Sequence, residues 1–405
     1  MANTSAAVTL IQTHSTSSYL QDSWLFNVTG YNDINTTIAN NSDNLTEIST
    51  QNKLFLPCNN LENLVDEATA EQVERLFHLT ALPLLELFGV VTNVINCLVF
   101  ARQGLKNRIN LCLFSLALAD ISFLLLSFAA KFFSFLGLFD EDLEEYWSQK
   151  YLNTVLGPML GMMNISNLMT MIISLERCIC VVSPFTAKKF LKTKYMAIGI
   201  SIMAVYVLGF YSLLNMKYVT TRLTDPQTNT SRWLSRLSDF YLDQRTVIDI
   251  LYNHLLSLTI PCVSLAVVVV ATSITVNTLR TSLAWRHEMA SMPTAGERRE
   301  AGVTKMLSVV CFVYVTTITP SIAQAFVRTL VPGYLPSGKY CNTFVVTQTL
   351  AHLCEVTNSS VNFLVYFSMG TRFRATVKDI FRRNGGPDKS ILPNAVSLPT
   401  ISQEL

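Results

Sequence analysis

Gln348-Thr-Leu-Ala-His352-Leu-Cys-Glu355-Val-Thr-Asn358-Ser359-Ser-Val-Asn362-Phe-Leu-Val-Tyr366 is the stretch that decides the fold. Its numbered polar residues follow one another at helical steps, so they fall on one stripe of an α-helix. The rest of the surface is Leu, Val and Phe, and the apolar character runs over 343–369. A helix of that length and composition spans the hydrocarbon core of a bilayer. Amide and carboxylate groups are costly there, so the stripe must face an interior shared with other helices.

Working outward, six more apolar stretches lie at 79–101, 109–136, 152–182, 195–214, 248–279 and 303–331. Every backbone amide in lipid must be bonded within its own segment, so these too are helices and not open strands. The fold expected is an all-α membrane protein, a seven-transmembrane-helix bundle over 79–369. Pro158, Pro261 and Pro320 predict kinks in helices three, five and six. Residues 370–383 are basic and amphipathic, with Phe373, Val377, Ile380 and Phe381 on one side, which suits a short helix on the cytoplasmic membrane face. Composition agrees: the 405 residues are 50% hydrophobic and 14% charged, where a soluble chain carries about a quarter charged. A net charge of +2 gives no footprint for nucleic acid.

Residues 1–78 are rich in Asn, Ser and Thr, and carry the Asn-x-Ser/Thr acceptor pattern at Asn3, Asn27, Asn35, Asn40 and Asn44; Asn229 adds another in the loop at 215–247. This predicts a glycosylated, disordered extracellular tail. Met1–Leu20 lacks a basic start and an apolar run, so helix one is expected to serve as the insertion signal. With the tail outside, 19 of the 30 Lys and Arg residues fall on the inner side and 11 on the outer, the asymmetry expected of a plasma-membrane protein with an extracellular N-terminus. Residues 384–405 read as a disordered cytoplasmic tail whose Ser390, Ser397, Thr400 and Ser402 could take phosphate for an arrestin-like partner. Of the nine cysteines, Cys58 and Cys341 lie outside the apolar runs. They are a candidate disulfide, with two free or intermolecular thiols as the alternative.

Polar residues recur in other predicted helices: Asn93 in helix one, Asp120 within Leu116-Ala-Leu-Ala-Asp120 in helix two, and Ser166 in helix three, which closes with Glu176-Arg177-Cys178. Together with Pro261, Pro320, the Asn358–Tyr366 run and Arg372-Phe-Arg374, these residues stand in an order and spacing that resembles the rhodopsin-like G-protein-coupled receptors over about 79–383. The resemblance implies a ligand-controlled activator of a heterotrimeric G protein with no catalytic residues and no cofactor. It implies that Asp120, Ser166, Asn358, Ser359 and Asn362, with Asn93 beside them, hold an allosteric sodium ion, the metal contacts being Asp120 and Ser166. It implies that Arg177 meets the G protein, with Glu176 and Glu300 as its resting partners, and that Asn362 and Tyr366 belong to the same switch. The bland reading of the Asp120 group is a structural knot between helices.

Several residues depart from that pattern: Cys178 for the usual Tyr, Phe363 for Pro, Ile318 for Trp and Val269 for an inward Tyr. No cysteine lies at the outer end of helix three or in the loop at 215–247, so the usual disulfide between them is absent. Ser174–Pro184, Trp285-Arg286 and Asn358–Arg374 resemble divergent receptors of molluscs and related invertebrates, many of them chemosensory or neuropeptide-like.

For the ligand, the outer thirds of the helices offer Glu86, Lys131, Met159, Met163, Gln324, Arg328, Gln348, His352 and Glu355. Charges of both signs suit a peptide terminus or a small polar, zwitterionic molecule. Lys131 needs a partner, and Glu86 or Glu355 on neighbouring helices is expected to supply it. Two rivals remain open: a transporter or channel, against which stands the absence of internal repeats and paired broken helices, and a non-signalling decoy.

Overall fold

The computed structural model describes residues 64–136, 141–224, 231–288, 295–335 and 338–383. The Cys58 side of the candidate disulfide, the acceptor sites Asn3 to Asn44 and Asn229, and the phosphate sites of the tail lie outside them. Helices run in the order α1 (Glu67–Gln103), α2 (Arg108–Leu136), α3 (Glu141–Thr154), α4 (Leu156–Val182), α5 (Pro184–Phe190) and α6 (Thr193–Asn215). A hairpin of β1 (Tyr218–Thr224) and β2 (Ser231–Leu237) follows, then α7 (Asp239–Asp243), α8 (245–288), α9 (Ala295–Leu330), α10 (Cys341–Met369) and α11 (Thr371–Arg383).

The membrane-crossing set is α1, α2, α4, α6, α8, α9 and α10. Six of these are long and apolar enough to cross a bilayer by composition alone. The remaining one, α10, has 29 residues, enough length, but its polar stripe dilutes its hydropathy. α1 packs against α2 and α10, α9 against α8 and α10, and α4 touches α2, α6, α8 and α9, which puts it at the centre of the bundle. Gly89 and Gly157 allow close approaches between helices: a Cβ at Gly89 would collide with Ser360 of α10, and one at Gly157 with the backbone of Tyr211 in α6.

α1 begins at Glu67, earlier than the predicted start at 79 and inside the stretch read as tail. Asp66 caps it, accepting from the Thr69 backbone N–H at 3.0 Å and the Thr69 hydroxyl at 2.7 Å. The first turns are polar and the hydropathy signal starts later, so the sequence concealed them. Two π-helical stretches, Phe77–Ala81 and Ile250–Thr259, each end two residues before a proline, Pro83 and Pro261. A proline has no N–H and its ring crowds the carbonyl four residues back; the wider turn relieves that clash. Pro158 does not kink a helix as predicted. The chain breaks at Val155 between α3 and α4, so Pro158 sits in the first turn of α4, where a proline is tolerated. Pro320 lies deep within α9.

The loop at 215–247 carries a hairpin that hydropathy did not reveal. Its register pairs Tyr218 with Leu237 and Thr224 with Ser231. On α11, Phe373, Val377 and Ile380 are buried, but Phe381 is 59% exposed and falls outside that stripe. Phe363, in place of the family's proline, stacks on Phe367 and meets Phe373 edge-on, which ties α10 to α11. Val269 faces outward and its neighbour Val268 is the buried residue of that turn, so the inward position expected of Val269 belongs to Val268.

Candidate functional site

Three polar assemblies run along the inside of the bundle. The first lies towards the end at which α1 begins. A cavity of about 110 Å³ opens there between α1, α4, α6, α8, α9 and α10. Of the predicted ligand residues, Met159, Met163, Gln324, Arg328, Gln348, His352 and Glu355 line it. Arg328 donates to Ser257 at 2.7 Å, and His352 faces Glu355 at 3.6 Å. Asn167 Nδ2 and Ser321 Oγ also border the cavity, and both are buried without a hydrogen-bond partner among the described residues. A buried polar atom left unpaired is costly, so these two are groups for which a bound molecule would complete the bonding.

Glu86 and Lys131 do not line the cavity. They form a buried ion pair beside it, Lys131 Nζ to Glu86 Oε1 at 2.7 Å, with Glu86 wholly buried and Lys131 nearly so. Ser127 donates to Glu86 at 2.6 Å and lies 3.0 Å from His352 Nε2, which links the pair to the cavity wall. The expected partnership of Lys131 is therefore with Glu86, through geometry that joins α1, α2 and α10. Sequence reading missed Glu74 and His78, which also line the cavity, one helical turn apart on α1. Their i, i+4 spacing was visible, but it lay in the polar stretch assigned to the tail.

The second assembly is at mid-depth. Asp120 is fully buried, and its two oxygens accept from Ser166 Oγ at 2.6 Å and Asn362 Nδ2 at 3.0 Å. Asn93 donates to the Ser359 carbonyl at 2.7 Å, and Thr317 donates to Asn358 at 3.2 Å. Ser166, Asn358, Ser359 and Glu355 border a small chamber that shares Met163, Asn167, Ile318 and Glu355 with the cavity above. Ile318, where the family has tryptophan, and Met163 are the apolar residues that line both spaces.

The third lies at the opposite end. Arg177 Nη2 and Glu176 Oε2 are 2.5 Å apart, and a second arginine, Arg108 of α2, approaches Glu176 Oε1 at 3.6 Å. Arg108 was not expected there. Glu300 falls on α9, but its side chain lies outside what the structure describes, so its pairing with Arg177 has no geometry here. Tyr366 is buried with its ring against Phe100 and Phe373, and its hydroxyl has no partner among the described residues.

Residues 92–366 match the family model described as 7 transmembrane receptor (rhodopsin family). The chain belongs to that family. It is a multi-pass membrane receptor, not an enzyme, and the family as a whole works with G proteins and ligands. No curated protein matches the chain. Cys341 of this receptor opens α10 and is disulfide-bonded, while Cys97, Cys112, Cys178, Cys180, Cys262, Cys311 and Cys354 are free thiols.

Proposed function

We propose that this receptor binds an extracellular peptide terminus or small zwitterionic molecule in the cavity at the α1 end and passes the signal to a heterotrimeric G protein at the Arg177 end. The observation that carries the reading is the cavity wall itself: one cavity gathers a cation, Arg328, an acid, Glu355, and two unpaired polar atoms, Asn167 Nδ2 and Ser321 Oγ. A carboxylate can pair with Arg328 and an ammonium with Glu355. Binding shifts an existing equilibrium towards the form in which Arg177 leaves Glu176, and the ligand needs a differential affinity of about 1–3 kcal/mol to do so.

The N-terminus faces outside in this reading, supported by the Lys and Arg asymmetry and the acceptor sites at Asn3 to Asn44. The covalent bond at Cys341, with seven thiols free, supports Cys58 as its partner, a tether from the tail to the mouth of the cavity. At mid-depth Asp120, Ser166, Asn358, Ser359 and Asn362 offer one carboxylate and several neutral oxygens, a donor set suited to a hard monovalent cation such as sodium. Among the described residues no cluster of three His, Cys, Asp or Glu could hold a transition metal. Phosphate on the tail hydroxyls would serve an arrestin-like partner.

The test is G-protein release in cells exposed to peptide and small-metabolite pools, comparing wild type with Arg177→Ala, Arg328→Ala and Glu355→Gln at matched surface expression. A response lost in Arg177→Ala and weakened about tenfold or more in the two cavity variants is expected. Binding of the same pool by every variant with no release in wild type would favour a decoy. Ion flux without ligand would favour a channel.

A further inference from the structure

The second arginine on Glu176 does more than balance charge. Arg108 Nη1 donates to the Ala187 carbonyl at 2.9 Å and to the Leu191 carbonyl at 2.7 Å. Both carbonyls lie at the C-terminal end of α5: that of Ala187 also accepts from the Leu191 N–H at 3.1 Å, so Arg108 adds a second donor there, and that of Leu191 lies just past the last turn. A cation there is also favoured by the helix dipole. Arg108 Nη2 lies 3.5 Å from Cys180 Sγ, and that thiol donates to Glu176 Oε1 at 3.3 Å.

α5 is short and shallowly seated. It has 7 residues, too few to persist alone, and Ala187 is its one buried residue among those whose burial is described, while Phe185 is 85% exposed. Ala187 and Arg108 are two of the contacts that set its position.

We propose that Arg108 is a positioning residue that latches α5 to the Glu176–Arg177 pair, so that a change at that pair is transmitted to the loop helix. Glu176 is shared: Oε2 faces Arg177 and Oε1 faces Arg108 and Cys180. When Arg177 departs, the carboxylate is free to draw Arg108 inward, away from the carbonyls of α5. The inference rests on the proposed signalling role only for its consequence, since the latch itself is a property of the receptor alone.

Hydrogen exchange of segment 184–191 in the full-length receptor in nanodiscs, without ligand, tests it. Arg108→Ala should speed exchange there roughly tenfold, the scale of losing charge-assisted bonds. Arg108→Lys, which keeps the charge but not the two-carbonyl geometry, should fall between and guards against misfolding of the alanine variant. Glu176→Gln should raise exchange about threefold in the wild-type background and add nothing in the Arg108→Ala background. Additive effects, or unchanged exchange in both Arg108 variants, would overturn the latch. Basal nucleotide exchange by a panel of G proteins, measured on the same samples, separates the two ideas. A non-additive latch with no G protein responding to any variant would leave the latch standing and sink the signalling role.

Discussion

The two charged assemblies at the ends of the bundle solve opposite problems. At the α1 end one lysine meets one acid, Lys131 and Glu86, both buried, with side-chain exposures of 8% and 0%, and His352 Nε2 lies 4.0 Å from the same carboxylate oxygen. At the other end two arginines share one acid; Glu176 is 1% exposed, but Arg108 and Arg177 keep 24% and 14%. In the first, loss of either partner leaves a buried charge without its counter-ion. In the second, Glu176 retains a partner whichever arginine leaves, and the departing arginine has solvent to enter. The first arrangement is a fixed joint and the second can move, which is the physical requirement for a two-state element.

The largest expected effect breaks the fixed joint. Lys131→Met leaves Glu86 buried without its lysine, with Ser127 and His352 still beside it. The cost is about 3 kcal/mol, the lower end of the range for buried pairs because these two remain and because unfolded helices in a bilayer also find partners. The double variant Glu86→Gln with Lys131→Met should recover most of the loss, since no charge is then left alone. Arg177→Ala should cost roughly 1 kcal/mol or less, with Arg108 still on Glu176. Thermal unfolding in nanodiscs reads all three, and equal losses for Lys131→Met and Arg177→Ala would dissolve the contrast.

That contrast was half legible in the sequence. Lys131 inside an apolar run demanded a partner, and the neighbours of its helix supplied Glu86 as one of two choices. The column Gln348 to Tyr366 announced the interior and, with Asp120 and Ser166, the mid-depth network. Arg108 was not legible. It lies in a basic connection where arginine needs no special reason, and its role comes from a fold that brings α2 beside α5, distant in sequence. The early start of α1 was hidden for a different reason: hydropathy marks where a helix enters lipid, not where its hydrogen bonds begin, and only the Asp66 cap gave a local sign of it.

Lys217 offers an intermediate case that sharpens the comparison. It sits beyond the end of α6, buried, with Nζ 3.9 Å from Asp249 and 4.7 Å from the centre of the Tyr241 ring. Asp249 is shared with Arg245, at 3.6 Å, so here two cations hold one acid but one of the cations is buried. Burial pulls the Lys217 ammonium down to about 8, against the opposing pull of Asp249. The unfolded chain, at the ordinary value of 10.5, then holds the proton more tightly than the folded one. Stability is therefore reduced below pH 8 and recovers as pH rises from about 8 towards 10.5. Tyr218 and Tyr241 are held above the ordinary tyrosine value by burial, so they keep their protons in the lower part of that window. A gain of about 1 kcal/mol between pH 7.5 and 9.5 is expected in wild type and absent in Lys217→Met. Unfolding curves at the two pH values check it, and a parallel gain in both proteins would assign the effect elsewhere.

The smallest expected effect concerns how the β hairpin stays in place without the family's disulfide. Asp142 of α3 and Arg222 of β1 look like a clamp, but they are 3.9 Å apart with side chains 61% and 53% exposed. Asp142→Ala should therefore change stability by less than about 0.5 kcal/mol. The hold lies on the other strand. Glu145 accepts from the Trp233 backbone N–H at 3.0 Å and Gln149 from that of Ser235 at 3.1 Å. Four residues along a helix rise about 6 Å and two along a strand about 7 Å, so one turn of α3 matches alternate N–H groups on the edge of β2. Tyr146 adds an edge-on contact to Trp233 with ring centres 4.8 Å apart. Glu145→Ala, which strips an acceptor from a strand edge, should cost more than Asp142→Ala, by about 1 kcal/mol, and should raise hydrogen exchange at Trp233. If the order were reversed, the exposed ion pair would be the clamp after all, and water would matter less to these charges than the contrast between the two ends of the bundle requires.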